Sequence, residues 1–436
     1  MEAKMNNSTN FTVTLISFWS RMNSLKAYAS SILPLALDKD TEKIEELYER
    51  LSSKSDLSEM PKDEFINNIS KFYNDIESNH SLIENYKEDF QKNMIEIQEL
   101  ISQNKEAAVV IGSIFDEMLF SSTMRYSDIL RNNILISLVS FFELLIGDLL
   151  HTFYTLKPNA LTGVDKEFSF NDLRNYNNLD EIIESVRNKR VDSILRNSLE
   201  EWVKFFNKNF KVDFKTTVSE WDQFNEIFQR RNTLVHNGGR MSNQYIKKVS
   251  KSYLANNQIT VKEGNQLYVN EEYLNSAIDL FLTSGINLIA TVWGKLCPDE
   301  NKDRNELLQN VVYRLMLNEE WKIAAEIELF LGRHINNDDL TTKFNYWLAM
   351  KNLNRLDEVY EEMNQYRKSG FGPIYELCYY GILDDKEQFY YCLPEAVNHG
   401  LTETSLLEWP MFEGIRKDEQ FLNKVTSLFT NVKSYS

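Results

Sequence analysis

Helix breakers are scarce in this chain, with 14 Gly and 7 Pro among 436 residues. Glycine costs a helix interior about 1 kcal/mol and proline about 3, so their rarity leaves long stretches free to wind. Leu, Ile, Glu, Lys and Asn dominate the rest. The expected fold class is therefore all-α. The length suggests three regions: an acidic helical region over 1–122, a central domain over 123–298 and a helical-repeat array over 299–436.

Charge separates the same three regions. The net charge of −17 looks wrong for a nucleic-acid binder, but it is unevenly spread. Residues 1–122 hold 12 Lys/Arg against 21 Asp/Glu, and residues 299–436 hold 15 against 24, so each flank is at −9. Residues 123–298 hold 21 against 20, a net of +1. A phosphate chain can approach the middle and is repelled by the ends. The three cysteines, Cys297, Cys378 and Cys392, fit no zinc spacing and no disulfide framework, which points to a reducing cytoplasm. The apolar run Phe11–Ile16 is short and lacks a cleavage-site pattern, so no secretory signal is expected. The run Ile134–Leu150 contains Glu143 and Asp148, so it is expected as a core helix and not as a membrane span.

Helical periodicity runs from about Thr41 to Phe120, with Leu47, Leu51, Phe65, Ile69, Phe72 and Ile76 in register and a break at Ser52–Lys62. Ser81–Gln103 is a further amphipathic segment, and His80 sits in a polar turn before it. The central region opens with a helix over Tyr126–Tyr154, apolar on nearly every side from Ile134 to Ile146 and so expected at the centre of its domain. A loop over Lys157–Asn171 precedes helices at Leu179–Arg196 and Ser198–Phe206. Another helix is expected to start with Ser219 as N-cap and to stop at Gly238-Gly239. Ile259-Thr-Val261 and Leu267-Tyr-Val269, separated by a Gly-containing turn, predict one small β-hairpin. A last helix covers Asn270–Leu296.

Chemistry concentrates in Trp221–Gly239, WDQFNEIFQRRNTLVHNGG. Its core stripe falls on Trp221, Phe224, Phe228 and Val235, with Ile227 and Leu234 in support, and Arg231 shares that register. A guanidinium on a core-facing stripe costs several kcal/mol unless it is paired or reaches a wet cleft. Glu143 interrupts the apolar central helix in the same way, so the two charges are expected to meet around a polar pocket. His236 stands four residues after Asn232, on one helix face, and five after Arg231, roughly 140° round.

Arg231-Asn232-Thr-Leu-Val-His236 resembles the signature of the HEPN superfamily, and Arg230, Asn237 and Gly238 fit its usual context. The preceding helix, Leu138-Val-Ser-Phe-Phe-Glu143, also resembles that family's pattern. The resemblance covers Met124–Leu296 and leaves the hairpin as an insertion. It implies a HEPN-like helical bundle, usually a homodimer, that cleaves RNA without metal or cofactor. The RNA 2′-hydroxyl would attack its own phosphate and leave a 2′,3′-cyclic phosphate. His236 would act as general base or acid, because imidazole is the side chain suited to proton transfer near neutrality. Arg231 would stabilise the phosphorane by forked hydrogen bonds, and Asn232 would orient the imidazole or the phosphate. Glu143, Asn237 and Arg230 would support the site. Arg230, Arg240, Lys247 and Lys248 would hold neighbouring phosphates. A sub-branch of the family carries a modified Tyr two residues after the His; this chain has Gly238 there.

The C-terminal third resembles tetratricopeptide-like helical hairpins. Leu315–Ile327 and Leu348–Tyr360 lie 33 residues apart, Tyr379–Tyr391 is a looser copy, and Leu406–Phe421 resembles a degenerate last repeat. Such arrays present concave surfaces to partner proteins. Together the parts look like an RNA-cleaving toxin or antiphage effector, with a protein partner or antitoxin on the repeats. A non-catalytic adaptor that uses the bundle only to dimerise is the competing expectation.

Overall fold

A computed structural model describes residues 7–52, 61–67, 70, 125–161, 176–259, 261–335 and 339–433. Among them the fold is all-α, with no strand. Expected helical positions Ile69, Phe72 and Ile76, the Ser81–Gln103 segment, His80 and the loop beyond Leu161 lie outside the described residues.

The chain divides into two compact units, Val13–Gly285 and Met1–Thr12 with Ile286–Ser436. The first helix, α1 (Asn7–Ser52), begins well before the expected Thr41. Its cause is a stripe that the short apolar run concealed: Leu15, Phe18, Met22, Leu25, Ala29 and Leu33 are all buried, at spacings of three and four. Pro34 sits inside the helix on its exposed side. Residues 13–52, read from sequence as part of a separate region, thus belong to the same unit as the central helices.

Helix α2 (Tyr126–Leu156) has no side-chain cap of its own. Asp40 of α1 supplies one: its carboxylate accepts from the Tyr126 N–H at 2.7 Å and the Ser127 N–H at 3.0 Å. Two of the orphan donors of the helix start are satisfied this way. Phe142 lies at the hub of the core. Its ring meets Phe18, Phe214, Phe224, Phe228 and Phe281 at centroid distances of 5.2–6.4 Å, all edge contacts with interplanar angles of 68–87°. Each such pair adds about 0.5–1.5 kcal/mol beyond its buried area. Within the apolar stretch Ile134–Ile146, Leu144 is nonetheless exposed.

Helices α3 (Leu179–Leu195) and α4 (Leu199–Phe205) match their expected spans, and α4 runs on into a π turn, Phe206–Phe210. Helix α5 (Trp221–Asn237) follows. Its N-cap is Glu220, not Ser219, and no side chain bonds the first turn. Two short helices, α6 (Asn243–Lys248) and α7 (Lys251–Asn256), lead to α8 (Glu271–Leu296). Asn270 caps α8 by accepting from the Tyr273 N–H at 2.8 Å.

The expected hairpin does not form. The only pairing in that stretch among the described residues is one antiparallel bridge, Arg240 with Gln266. The Leu267 N–H bonds Gly239 O at 2.9 Å and the Met241 N–H bonds Asn265 O at 2.8 Å. The second segment therefore pairs with the chain leaving α5 and not with the first. Packing explains the choice: Leu267 buries itself with Met241, Tyr245, Val249 and Leu254 in a small satellite core, with Ile259 against its edge.

Helices α2 and α8 are each long and apolar enough to cross a membrane by composition, and 56% and 83% of their most apolar windows are buried here. Gly285 of α8 marks a close approach: a Cβ there would lie 2.3 Å from two ring atoms of Phe18. Gly285→Ala should cost about 1–3 kcal/mol by overpacking, read as a lower denaturant midpoint.

In the second unit, helical hairpins follow one another: α9 (Asn301–Leu317) with α10 (Trp321–His334), α11 (Leu340–Asn352) with α12 (Tyr360–Lys368), and α13 (Pro373–Ile382) with α14 (Lys386–Asn398). Their three turns share one geometry. Glu319, Asn354 and Asp384 are left-handed, with φ of 60°, 57° and 54°. The next N–H in each reaches back five residues, Glu320 to Leu315 O, Arg355 to Met350 O and Asp385 to Tyr380 O, at 2.8–3.1 Å. Short helices α15 (Glu403–Glu408) and α16 (Glu413–Arg416) and the amphipathic α17 (Phe421–Lys433) close the unit.

Candidate functional site

The candidate site lies on the last two turns of α5. The helix stops because Gly238 is left-handed at φ 58° and the Gly239 N–H closes on Thr233 O at 3.1 Å. Glycine is needed at the second position: Gly239 has φ 81°, and a Cβ on it would meet the Gln266 amide at 2.3 Å. This stop leaves Val235, His236 and Asn237 exposed. Val235 is thus not a core position, because the helix end runs past the packed stripe of Phe224, Ile227 and Phe228.

Arg231 and Glu143 are brought together. The Arg231 Nη2 donates to Glu143 Oε1, joining α5 to α2. The side chains are 17% and 33% exposed, so the pair sits at a boundary and not in the core. The Arg231 Nε is buried and has no partner. A buried N–H without an acceptor costs about 1–3 kcal/mol, and here it leaves the guanidinium with an unspent donor. Asn232 is half-buried and His236 exposed, and neither side chain has a hydrogen-bond partner among the described residues. Beside them lie two exposed apolar side chains, Leu144 next to Glu143 and Val235 next to His236.

Arg230 is not at this site. Its guanidinium is 4% exposed and donates from Nε to Glu226 at 2.7 Å and from Nη1 to the Tyr268 carbonyl. It also lies over the Tyr273 ring at 4.2 Å. Glu226 is fully buried and accepts in addition from the Tyr245 hydroxyl at 2.5 Å and the Tyr273 hydroxyl at 2.6 Å. Burial works against the Arg230 charge, but Glu226 and the two phenols outweigh it and hold its pKa well above the ordinary value. Burial, then the Glu226 carboxylate, pushes both phenols upward. Arg230 is therefore a buried structural cation and not one of the exposed groups that could meet a phosphate.

Glu226, Tyr245 and Tyr273 were missed from sequence. A signal existed: Glu226 stands four residues before Arg230, between the core positions Phe224 and Ile227, where a carboxylate must find partners. Of the remaining basic candidates, Arg240 and Lys247 are exposed and Lys248 is half-buried. None forms an ion pair among the described residues. His151 of α2 is half-buried, its pKa lowered by burial and then by Arg187. His334 and His399 lie at the ends of α10 and α14, in the other unit. Set against known proteins, this chain matches no family model, no curated protein and no solved structure.

Proposed function

We propose that the chain is a metal-independent endoribonuclease of HEPN type, with Arg231, Asn232 and His236 as its working residues. The observation that carries this reading is the Arg231–Glu143 pair, which holds a guanidinium with a spare donor at the same helix end as an exposed imidazole. In the reaction the ribose 2′-oxygen forms a bond to the adjacent phosphorus as the bond to the 5′-oxygen breaks. The 2′-hydroxyl proton passes to a base and the departing 5′-oxygen takes one from an acid, so one imidazole, or two from paired copies, completes the cycle. Arg231 meets the charge that grows on the phosphorane oxygens. Glu143 fixes the guanidinium plane, and a phosphate competes with it for the remaining donors.

Exposed Leu144 and Val235 beside the motif support a homodimer in which a second copy covers this face and brings its own His236. Arg240, Lys247 and Lys248 would meet the outer phosphates. The tetratricopeptide-like reading of the second unit is supported by its three identically built turns, and such an array suits a protein partner or antitoxin. A cytoplasmic toxin or antiphage effector is the role that unites these parts.

The test incubates purified wild type and His236→Ala with total RNA and with tRNA in EDTA and maps the ends. Wild type should cleave, leaving cyclic phosphates, and the variant should lose at least a hundredfold. Equal cleavage by both would reject the site. Silence from both, with a dimer in solution, would favour the adaptor.

A further inference from the structure

The second unit contains a cavity of about 420 Å³ between α9, α11, α13 and the segment after α15. Its walls are mostly apolar, with Met316, Phe344, Leu348, Ile374, Trp409 and Met411 among them. None of its fourteen lining residues is charged. This is notable in a region with 39 charged side chains among 138 residues, 15 Lys/Arg and 24 Asp/Glu. A site so lined excludes ionic ligands, because nothing in it would compensate their lost hydration.

The polar atoms at one side are fixed by a buried network. Glu328 of α10 is 1% exposed. It accepts from Gln309 Nε2 at 3.1 Å and from Asn345 Nδ2 at 3.0 Å. Asn345 Nδ2 also donates to Gln309 Oε1 at 2.7 Å, and Gln309 Nε2 to Thr342 Oγ1 at 3.1 Å. Both hydrogens of Asn345 are thereby spent. The Asn345 carbonyl oxygen has no partner among the described residues, although the residue is only 7% exposed and lines the cavity. That oxygen is open to the cavity, where a ligand donor would pair with it.

We infer that this cavity is a binding site for an uncharged, largely apolar small molecule of two or three rings, which presents one hydroxyl or N–H donor to Asn345. Mostly apolar walls with a few placed polar groups are what such a ligand requires, and the volume is within the range of small-molecule sites. The occupant has no ionised group, so nucleotides and phosphopeptides are excluded. The inference does not depend on the ribonuclease reading.

The experiment titrates the full chain with 1-naphthol and with 1-methoxynaphthalene, by calorimetry and by naphthol fluorescence. The two probes share ring and oxygen, but only the first has a donor. Naphthol should bind one to one and at least tenfold more tightly than the ether. Ile374→Trp and Met411→Trp place bulk at half-buried wall positions and should each reduce naphthol binding more than tenfold, with helical content unchanged. Absence of binding by either probe would overturn the site, as would undiminished binding by both filled variants. A filled variant that only raises the melting temperature, with no probe bound by wild type, would make the cavity a packing void. Equal affinity for the two probes would overturn the role of Asn345.

Discussion

Glu226→Ala should destabilise the Val13–Gly285 unit by about 3–5 kcal/mol, the range for removing one member of a buried ion pair. Three donors converge on this carboxylate, the Arg230 guanidinium and the Tyr245 and Tyr273 hydroxyls. Alanine would leave the buried Arg230 cation with only the Tyr268 carbonyl and would strip both phenols of their acceptor. Those groups come from α5, α6 and α8, so the loss would loosen three elements at once. Denaturant unfolding measures it directly. The double variant Glu226→Ala/Arg230→Met should lose less than the sum of the two single changes, since the stranded cation is gone. A cost below about 1 kcal/mol for Glu226→Ala would mean that water reaches Arg230 and that the network does not hold α5. A destabilised Glu226 variant that still cleaves RNA would also separate this network from Arg231, its neighbour in sequence.

The contrast between Arg230 and Arg231 shows where sequence reasoning about the site stops. Register correctly singled out a charged residue on the inner side of α5 and a carboxylate on α2, and the structure joins Arg231 to Glu143. The deeper cation is nevertheless Arg230. Adjacent residues on a helix differ by about 100°. Which of the two faces the core depends on where α6 and α8 lie against α5, and no periodicity within α5 contains that information. The β-hairpin failed for a related reason. Ile259–Val269 has strand-like composition, but a strand needs a partner, and Leu267 gains more by joining Met241 and Tyr245 than by pairing with Ile259.

Element type was far more legible than element extent. Scarce breakers give all-α correctly, and the spans of α2, α3 and α8 agree with expectation within about two residues. Gly238-Gly239 marks the end of α5 because glycine enters the left-handed region at no steric cost. Helix α1 was mostly unread, since its buried stripe is diluted by exposed Val13, Ile16, Tyr28 and Leu35 on the opposite face. The Asp40 cap on α2 could not be seen at all, as it bridges 86 residues of sequence.

The second unit should lose stability as pH rises, because of Glu328. Burial pushes this carboxyl up to about 8, against the donors Asn345, Gln309 and Thr342, which favour the charged form, and with Asp339 adding to the rise. An unfolded glutamate titrates near 4.3. Below that value both states are protonated and the full contribution is present. Between about pH 5 and 7.5 the folded state keeps a proton that the unfolded state has released. The ratio of folded to unfolded then falls by close to tenfold per pH unit. Above about 8 both states are ionised and the slope vanishes. The accumulated change is on the order of 5 kcal/mol, a large part of a domain's total stability. Glu328→Gln abolishes this titration, so the difference in unfolding free energy between wild type and variant isolates it from every other group. That difference should be flat below pH 4, tilt steadily against wild type up to about pH 8, and level off. A flat difference throughout would show that Glu328 keeps its ordinary pKa, with water or an unassigned cation beside it. A tilt in the opposite direction would mean that the three donors outweigh burial and hold Glu328 as a carboxylate. The amides of Gln309 and Asn345 would then be bound to a charge and held more rigidly than a neutral acid could hold them.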